Sequence, residues 1–264
     1  MKSAEATSYR RGAARLNYLA QDRPDIAVAA NVLARSMARP LVGDEVRLKR
    51  VIRYLKSHPR CRLKFVYQPM PEQVRVLSDS DWAGDIVTRR STSGMMIMFG
   101  AHLLSFASRL QKTVALSSGE AELNAQILGL AEGIGVSNLC REWGLPSELA
   151  CYSDSSAARG IACRVGVGKM KHLQVKQLWI QEQVRAGRTS VSWISHNINS
   201  ADALTHHCTE AQMNEHLTRF GVEVRPESFS SGRGGVLDRP PSVDWWAAPP
   251  ARESWADLSE DIGA

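Results

Sequence analysis

Four acidic residues, Asp79, Glu122, Asp154 and Asp202, stand at or near the ends of segments patterned as strand or helix. Taken singly, each also fits a helix cap or a solvated charge, and no pair among them has an informative spacing. Brought together, four carboxylates repel one another unless cations fill the space between them. Oxygen-only ligands suit Mg²⁺ or Mn²⁺. Two such ions close together activate a water and stabilise the leaving oxygen of a phosphodiester. The chemistry therefore depends on whether the fold carries all four to one place.

The elements that would carry them can be read from the patterning. Residues 74–79 read as a strand running into an acidic turn. Residues 93–99 and 103–108 read as two more strands, joined by a hairpin at Gly100-Ala101-His102. Ser117-Ser118 caps a long helix over 119–143, with Glu122 in its first turns. A short strand at 149–153 leads to Asp154 and a helix over 155–163. A loop at 166–171, a helix over 172–185, a last strand at 189–194 and a last helix over 200–217 follow. Asp202 lies near the start of that last helix. Hairpin-linked strands first and helix-linked strands later predict an α/β chain with a mixed sheet flanked by helices. In that sheet the first and fourth strands are parallel neighbours. Their C-terminal ends bring Asp79 and Asp154 together, with Glu122 and Asp202 above them.

Upstream, residues 8–57 read as two helices separated at Pro40 and Gly43, with His58-Pro59 ending the second. Residues 1–70 carry 15 Lys and Arg against 5 Asp and Glu, whereas 71–210 carry 13 of each. Arg47, Lys49, Arg50, Arg53 and Lys56 crowd the second helix. Such a flank reads either as a phosphate-contacting surface or as a solvated helix face. The expected organisation is a basic helical segment at 1–70, an α/β domain at 71–218 and a low-order tail at 219–264. That tail is rich in Gly, Pro and Ser and carries Trp245, Trp246 and Trp255.

Composition narrows the classes further. Of 264 residues, 44% are hydrophobic and 23% charged, as in ordinary globular chains. No apolar run reaches the ~18–20 residues of a membrane span. The N-terminus lacks the apolar core of a signal peptide, so secretion is not expected. Five cysteines with no CxxC pair point to free thiols in a reducing compartment, cytoplasmic or nuclear.

Five stretches occur in a telling order: DSDWAGDIVTRRSTSG at 79–94, QKTVALSSGEAE at 111–122, CYSDSSAA at 151–158, KMKHL at 169–173 and NSADALT at 199–205. Together they resemble the ribonuclease H domain of copia-type LTR retrotransposon Pol polyproteins. YLAQDRPDIAVAANVLARSMARP at 18–40 and RLKRVIRYLKSHP at 47–59 resemble the segment that connects the reverse transcriptase to that domain. The resemblance implies a ribonuclease H-like mixed five-stranded sheet with an N-terminal helical segment. It implies a two-metal endonuclease, using Mg²⁺ or Mn²⁺, that hydrolyses the RNA strand of RNA–DNA hybrids. Asp79, Glu122, Asp154 and Asp202 match the catalytic metal ligands. Arg50, Arg53, Lys56, Arg89, Arg90, Lys169, Lys171 and His172 are the nucleic-acid-contact candidates. The partners implied are a hybrid or other nucleic acid and the rest of a Pol polyprotein, with no membrane. The alternative is a non-enzymatic relic that keeps the fold.

Some residues stand apart from this pattern. Gly119, Leu123 and His206 depart from the family's usual residues, His206 standing where a Lys is usual. Asp81 competes with Asp79, because two residues along a strand point to the same side. Glu120 is left outside the set. His196 precedes Asp202 by six positions and reads as structural rather than functional. His206-His207-Cys208 on one helix point in different directions and do not share a zinc ion. Ser117-Ser118 is explained by capping, not by nucleophilic chemistry. No Tyr-x-Asp-Asp motif occurs, so the chain is not expected to copy nucleic acid.

Overall fold

A computed structural model of the chain describes residues 2–168 and 170–225. The tail tryptophans and Lys169 lie outside the described residues.

The chain opens with helices α1 (Ser3–Leu19), α2 (Ala27–Arg35) and α3 (Val42–Ser57), with a 3₁₀ turn Pro24–Ile26 before α2. The basic segment therefore holds three α-helices, not two. Pro24 sits at the start of the 3₁₀ turn, where its missing N–H and fixed φ are tolerated, and so divides α1 from α2. Buried Ala6, Tyr9, Ala13 and Leu16 recur at helical spacing along α1. Next come β1 (Arg60–Leu63), β2 (Gln73–Asp81), β3 (Thr92–Phe99), β4 (His102–Leu110), α4 (Ser118–Glu142), β5 (Glu148–Ser153), α5 (Ser156–Ala162), α6 (Val175–Arg185) and β6 (Ser190–Trp193). Two 3₁₀ turns, His196–Ile198 and Ser200–Leu204, lead to α7 (Glu210–Arg219) and β7 (Val222–Arg225).

The main sheet has the order β4-β3-β2-β5-β6. β2, β3 and β4 pair antiparallel, while β2 with β5 and β5 with β6 pair parallel. This is the expected mixed five-stranded sheet, flanked by helices and preceded by a helical segment. Ser117 caps α4 by accepting from the Glu120 N–H. α4 lies close on β2, because a Cβ at Gly129 would stand 2.7 Å from Val76 Cγ1.

Side-chain alternation splits the sheet's apolar residues between two cores. Val74, Val76, Met95 and Ile97 pack with α4, α5 and α6. Leu77, Met96, Met98 and Leu103 pack with α1, α2, α3, the Ser200–Leu204 turn, α7 and β7. The boundary at residue 70 is thus no break in packing, since the basic segment helps to cover one whole face of the sheet.

The C-terminal end also differs from the expectation. The helix over 200–217 is two elements, a 3₁₀ turn and α7. Thr209 restarts the chain as α7 by accepting from Gln212 N–H, while Gln212 reaches back to the Thr209 N–H. α6 begins at Val175, not His172, and the strand at 190–193 is not the last. Val222–Arg225, expected in the tail, forms β7 and pairs antiparallel with β1. Both strands alternate polar and apolar residues, but each is only four residues long, so their meeting in space defines them.

Candidate active site at the end of the central strands

β2 and β5 pair in parallel up to Leu77 and Tyr152, and β2 then runs on to Asp81 while β5 ends at Ser153. Asp79 lies on β2, Asp154 just past β5, Glu122 in the second turn of α4 and Asp202 in the 3₁₀ turn Ser200–Leu204. One carboxylate oxygen each from Asp79, Glu122 and Asp154 lie within 4.8 Å of one another. A second trio, also within 4.8 Å, joins Asp79 to Asp202 and His206. The four acids meet at one end of the sheet, with Asp79 common to both groups.

Local contacts hold each acid. Glu122 Oε1 accepts from the Ser80 N–H at 3.1 Å and from the Ser80 hydroxyl at 3.0 Å. The Thr205 hydroxyl donates to Asp79 Oδ2. Asn199 Nδ2 donates to the Ser78 carbonyl at 3.0 Å, tying the C-terminal turns to β2. Gly94 stands opposite Asp79 in the β2–β3 register. A Cβ there would meet the Ala201 carbonyl at 2.6 Å, so glycine lets the Asp202 turn lie directly on β3. His196 Nδ1 is 2.9 Å from Asp154 Oδ2, and this hydrogen bond raises the His196 pKa.

The electrostatics are those of crowded, buried negative charge. Burial first, then the Asp79 charge, pushes Glu122 up to about 8. Burial also raises Asp79, to about 6, and the Asp202 charge adds to this against the Thr205 hydrogen bond. Burial works to raise Asp202 too, but its hydrogen bond to His206, together with the His206 charge, outweighs this and holds it below the usual range. The same hydrogen bond, aided by the Asp79 charge, lifts His206 to about 9. His206 Nδ1 lies between two of the acids, 3.1 Å from Asp202 Oδ1 and 3.7 Å from Asp79 Oδ2.

Among the described residues, Glu122 Oε2 is buried with no hydrogen-bond partner. Buried polar atoms are normally paired, and leaving one unpaired costs about 1–3 kcal/mol. A buried carboxylate oxygen left open beside two further carboxylates is the donor arrangement that a hard cation satisfies.

The neighbouring acids are otherwise engaged. Asp81 accepts from the Thr92 N–H and belongs to neither trio. Glu120 accepts from Leu116 N–H at 2.8 Å and from Gln177 at 3.2 Å, and it meets His172 Nε2 at 3.0 Å. His172 thus turns one ring nitrogen onto the protein. Lys171 is exposed beside it, Arg89 and Arg90 lie on the 82–91 loop past β2, and Arg50, Arg53 and Lys56 lie along α3.

Sequence reasoning leaves His206 and Thr205 out of the site. A continuous helix would splay His206, His207 and Cys208 apart, but these residues follow the end of the 3₁₀ turn. The N–H groups of Thr205 and His206 both return to the Asp202 carbonyl, which carries His206 over Asp202. The usable signal is the Asp202–His206 spacing of one helical turn.

No family model matches the chain. It is 32% identical over 230 residues to the retrovirus-related Pol polyprotein from transposon RE1 of Arabidopsis thaliana, covering 86% of this chain. The corresponding polyprotein from transposon TNT 1-94 of Nicotiana tabacum is 35% identical over 186 residues, or 69% of this chain. The chain is a homologue of retrovirus-related Pol polyproteins from transposons. It spans 16% and 14% of those two polyproteins. Among solved structures, LC11-RNase H1 isolated from compost superposes with a TM-score of 0.42 at 17% identity, over 55% of this chain and 99% of that one. No helix among the described residues is long and apolar enough to cross a membrane.

Proposed function

We propose that the chain is a copia-type ribonuclease H domain that hydrolyses the RNA strand of RNA–DNA hybrids with divalent cations held by Asp79, Glu122, Asp154 and Asp202. The observation that carries this reading is the trio Asp79, Glu122 and Asp154, one carboxylate oxygen each within 4.8 Å of one another, in which Glu122 Oε2 is buried and unpartnered. When bound, Mg²⁺ or Mn²⁺ supplies positive charge against the phosphodiester and makes water a better nucleophile. The protein's own part is to fix the ligands. Ser80 orients Glu122, Thr205 orients Asp79, and His196 orients Asp154. Such supporting contacts keep ligand oxygens aimed at one point.

The scissile strand lies across the ends of β2 and β5 in this reading. Arg89, Arg90 and Lys171 contact phosphates near the acids, and Arg50, Arg53 and Lys56 contact them further along the duplex. The domain grips the duplex by backbone shape and 2′-hydroxyls, without a base code. Labelled RNA–DNA hybrid, duplex RNA and duplex DNA, each with Mg²⁺, Mn²⁺ or EDTA, test the proposal. The expected result is cleavage of the RNA strand of the hybrid only, abolished by EDTA. Hybrid binding without cleavage under either metal points to the relic reading, and cleavage of duplex DNA would reassign the substrate.

A further inference from the structure

We propose that His206 Nδ1 joins Asp79 and Asp202 as a donor to the second of these cations, and that this mixed nitrogen and oxygen set takes a first-row transition ion such as Mn²⁺ in preference to Mg²⁺. It adjoins the all-oxygen site of Asp79, Glu122 and Asp154. The inference rests on the reading of those carboxylates as cation ligands, but its own support is geometric. His206 Nδ1 lies 3.1 Å from Asp202 Oδ1 and 3.7 Å from Asp79 Oδ2. Donors that share an ion at roughly 2.0–2.2 Å stand about 3.0 Å apart at right angles and at most about 4.4 Å apart. Both separations fall within that range.

The turn that delivers His206 is held in place. Thr205 N–H and His206 N–H both donate to the Asp202 carbonyl, at 3.0 and 3.1 Å. The Thr205 hydroxyl donates to Asp79 and lies 2.8 Å from His206 Nδ1. Nδ1 therefore faces the oxygens, not the solvent. The adjoining trio supplies a separate sign that this pocket expects an ion. Glu122, a member of that trio, is nine-tenths buried and its Oε2 has no partner. An imidazole nitrogen in place of a carboxylate shifts a site away from Mg²⁺ and toward transition ions. Two sites sharing Asp79 would then differ in preference, one open to Mg²⁺ and the other to Mn²⁺.

The alternative role for His206 is a charged imidazolium that only neutralises Asp79 and Asp202. Pulsed electron paramagnetic resonance on the metal-free chain, titrated with Mn²⁺, separates the two roles, because nitrogen bound to Mn²⁺ gives a hyperfine coupling. Bound Mn²⁺ is expected to show nitrogen coupling in the wild type and in His196→Gln, and to lose it in His206→Gln. His206→Gln should also weaken Mn²⁺ binding roughly 10- to 100-fold at one site while leaving Mg²⁺ affinity nearly unchanged. Circular dichroism checks that the variants fold, and the wild-type signal does not depend on them. Bound Mn²⁺ without nitrogen coupling, or coupling that survives His206→Gln, overturns the inference and leaves the carboxylate site standing. If no Mn²⁺ binds at all, both readings fall.

Discussion

The two faces of the sheet are built in different ways. The face under α4, α5 and α6 is covered by helices that follow their strands directly in sequence. The opposite face is covered by α1, α2 and α3 from the start of the chain and by the Ser200–Leu204 turn and α7 from its end. The first face contributes Glu122; the second contributes Asp202, Thr205 and His206. The candidate site lies where both coverings end, so it needs the local packing and the long-range packing together. The basic segment is therefore structural as well as charged. Arg35 makes this concrete: from α2 it reaches Asp85 at 3.2 Å and Thr92 at 2.9 Å, on the loop and strand beside the acids.

Removing the long-range covering should have the largest effect. A chain of residues 71–225 alone uncovers Leu77, Met96, Met98 and Leu103, and it is expected to aggregate without a cooperative melt. A monomer that melted cooperatively would show the second face to be dispensable. Next in size is the loss of a ligand. Glu122→Gln keeps an oxygen for Ser80 and removes a charge, so hybrid cleavage should fall roughly 100- to 1,000-fold. Its metal-free melting temperature should hold or rise, because burial and the Asp79 charge already oppose ionisation there. Reduced stability with a normal rate per folded molecule would take Glu122 out of the site.

Matched core deletions compare the faces directly. Leu33 is 2% exposed in one core and Leu130 is 0% exposed in the other. Leu33→Ala and Leu130→Ala should each destabilise by about 2–5 kcal/mol in chemical denaturation. A loss well under that range for Leu33→Ala alone would make the N-terminal helices a peripheral layer.

Proton linkage comes next, and it has an unusual sign for carboxylates. Asp79 and Glu122 are raised to about 6 and about 8 from 3.8 and 4.5, so the folded chain keeps protons that the unfolded chain has lost. His206, raised from 6.5 to about 9, acts in the same direction. All three contribute stability at low pH that is lost as pH rises through those folded values. The metal-free melting temperature should therefore fall between about pH 5 and 9, less so in Glu122→Gln, and divalent cations should restore it. A flat profile for both proteins would remove the buried charge cluster as its cause. The smallest effect is expected on α3. Replacing Arg50, Arg53 and Lys56 by Gln should weaken hybrid binding about equally for all sequences. The salt dependence should flatten by roughly one unit of slope for each phosphate that is no longer neutralised. An unchanged slope would leave α3 a solvated face.

The sequence alone determined whatever depends on neighbours along the chain. The hairpin at Gly100-Ala101-His102 is of this kind, as are the Ser117 cap, the strand that carries Asp79, although it runs on to Asp81, and the strand that leads to Asp154. Each rests on a periodicity or a cap within a few residues, so its physics is visible in a short window. The tertiary structure alone decided that the basic helices belong to the sheet, that β1 pairs with β7, and that the chain after Leu204 turns back before α7 begins. No window holds both partners of those contacts. Arg60–Leu63 alternates exposed and half-buried residues and becomes a strand only when Val222–Arg225 lies beside it. His206 shows the same limit at the site: in a continuous helix it and its neighbours diverge, while a turn closed on the Asp202 carbonyl points it at Asp79.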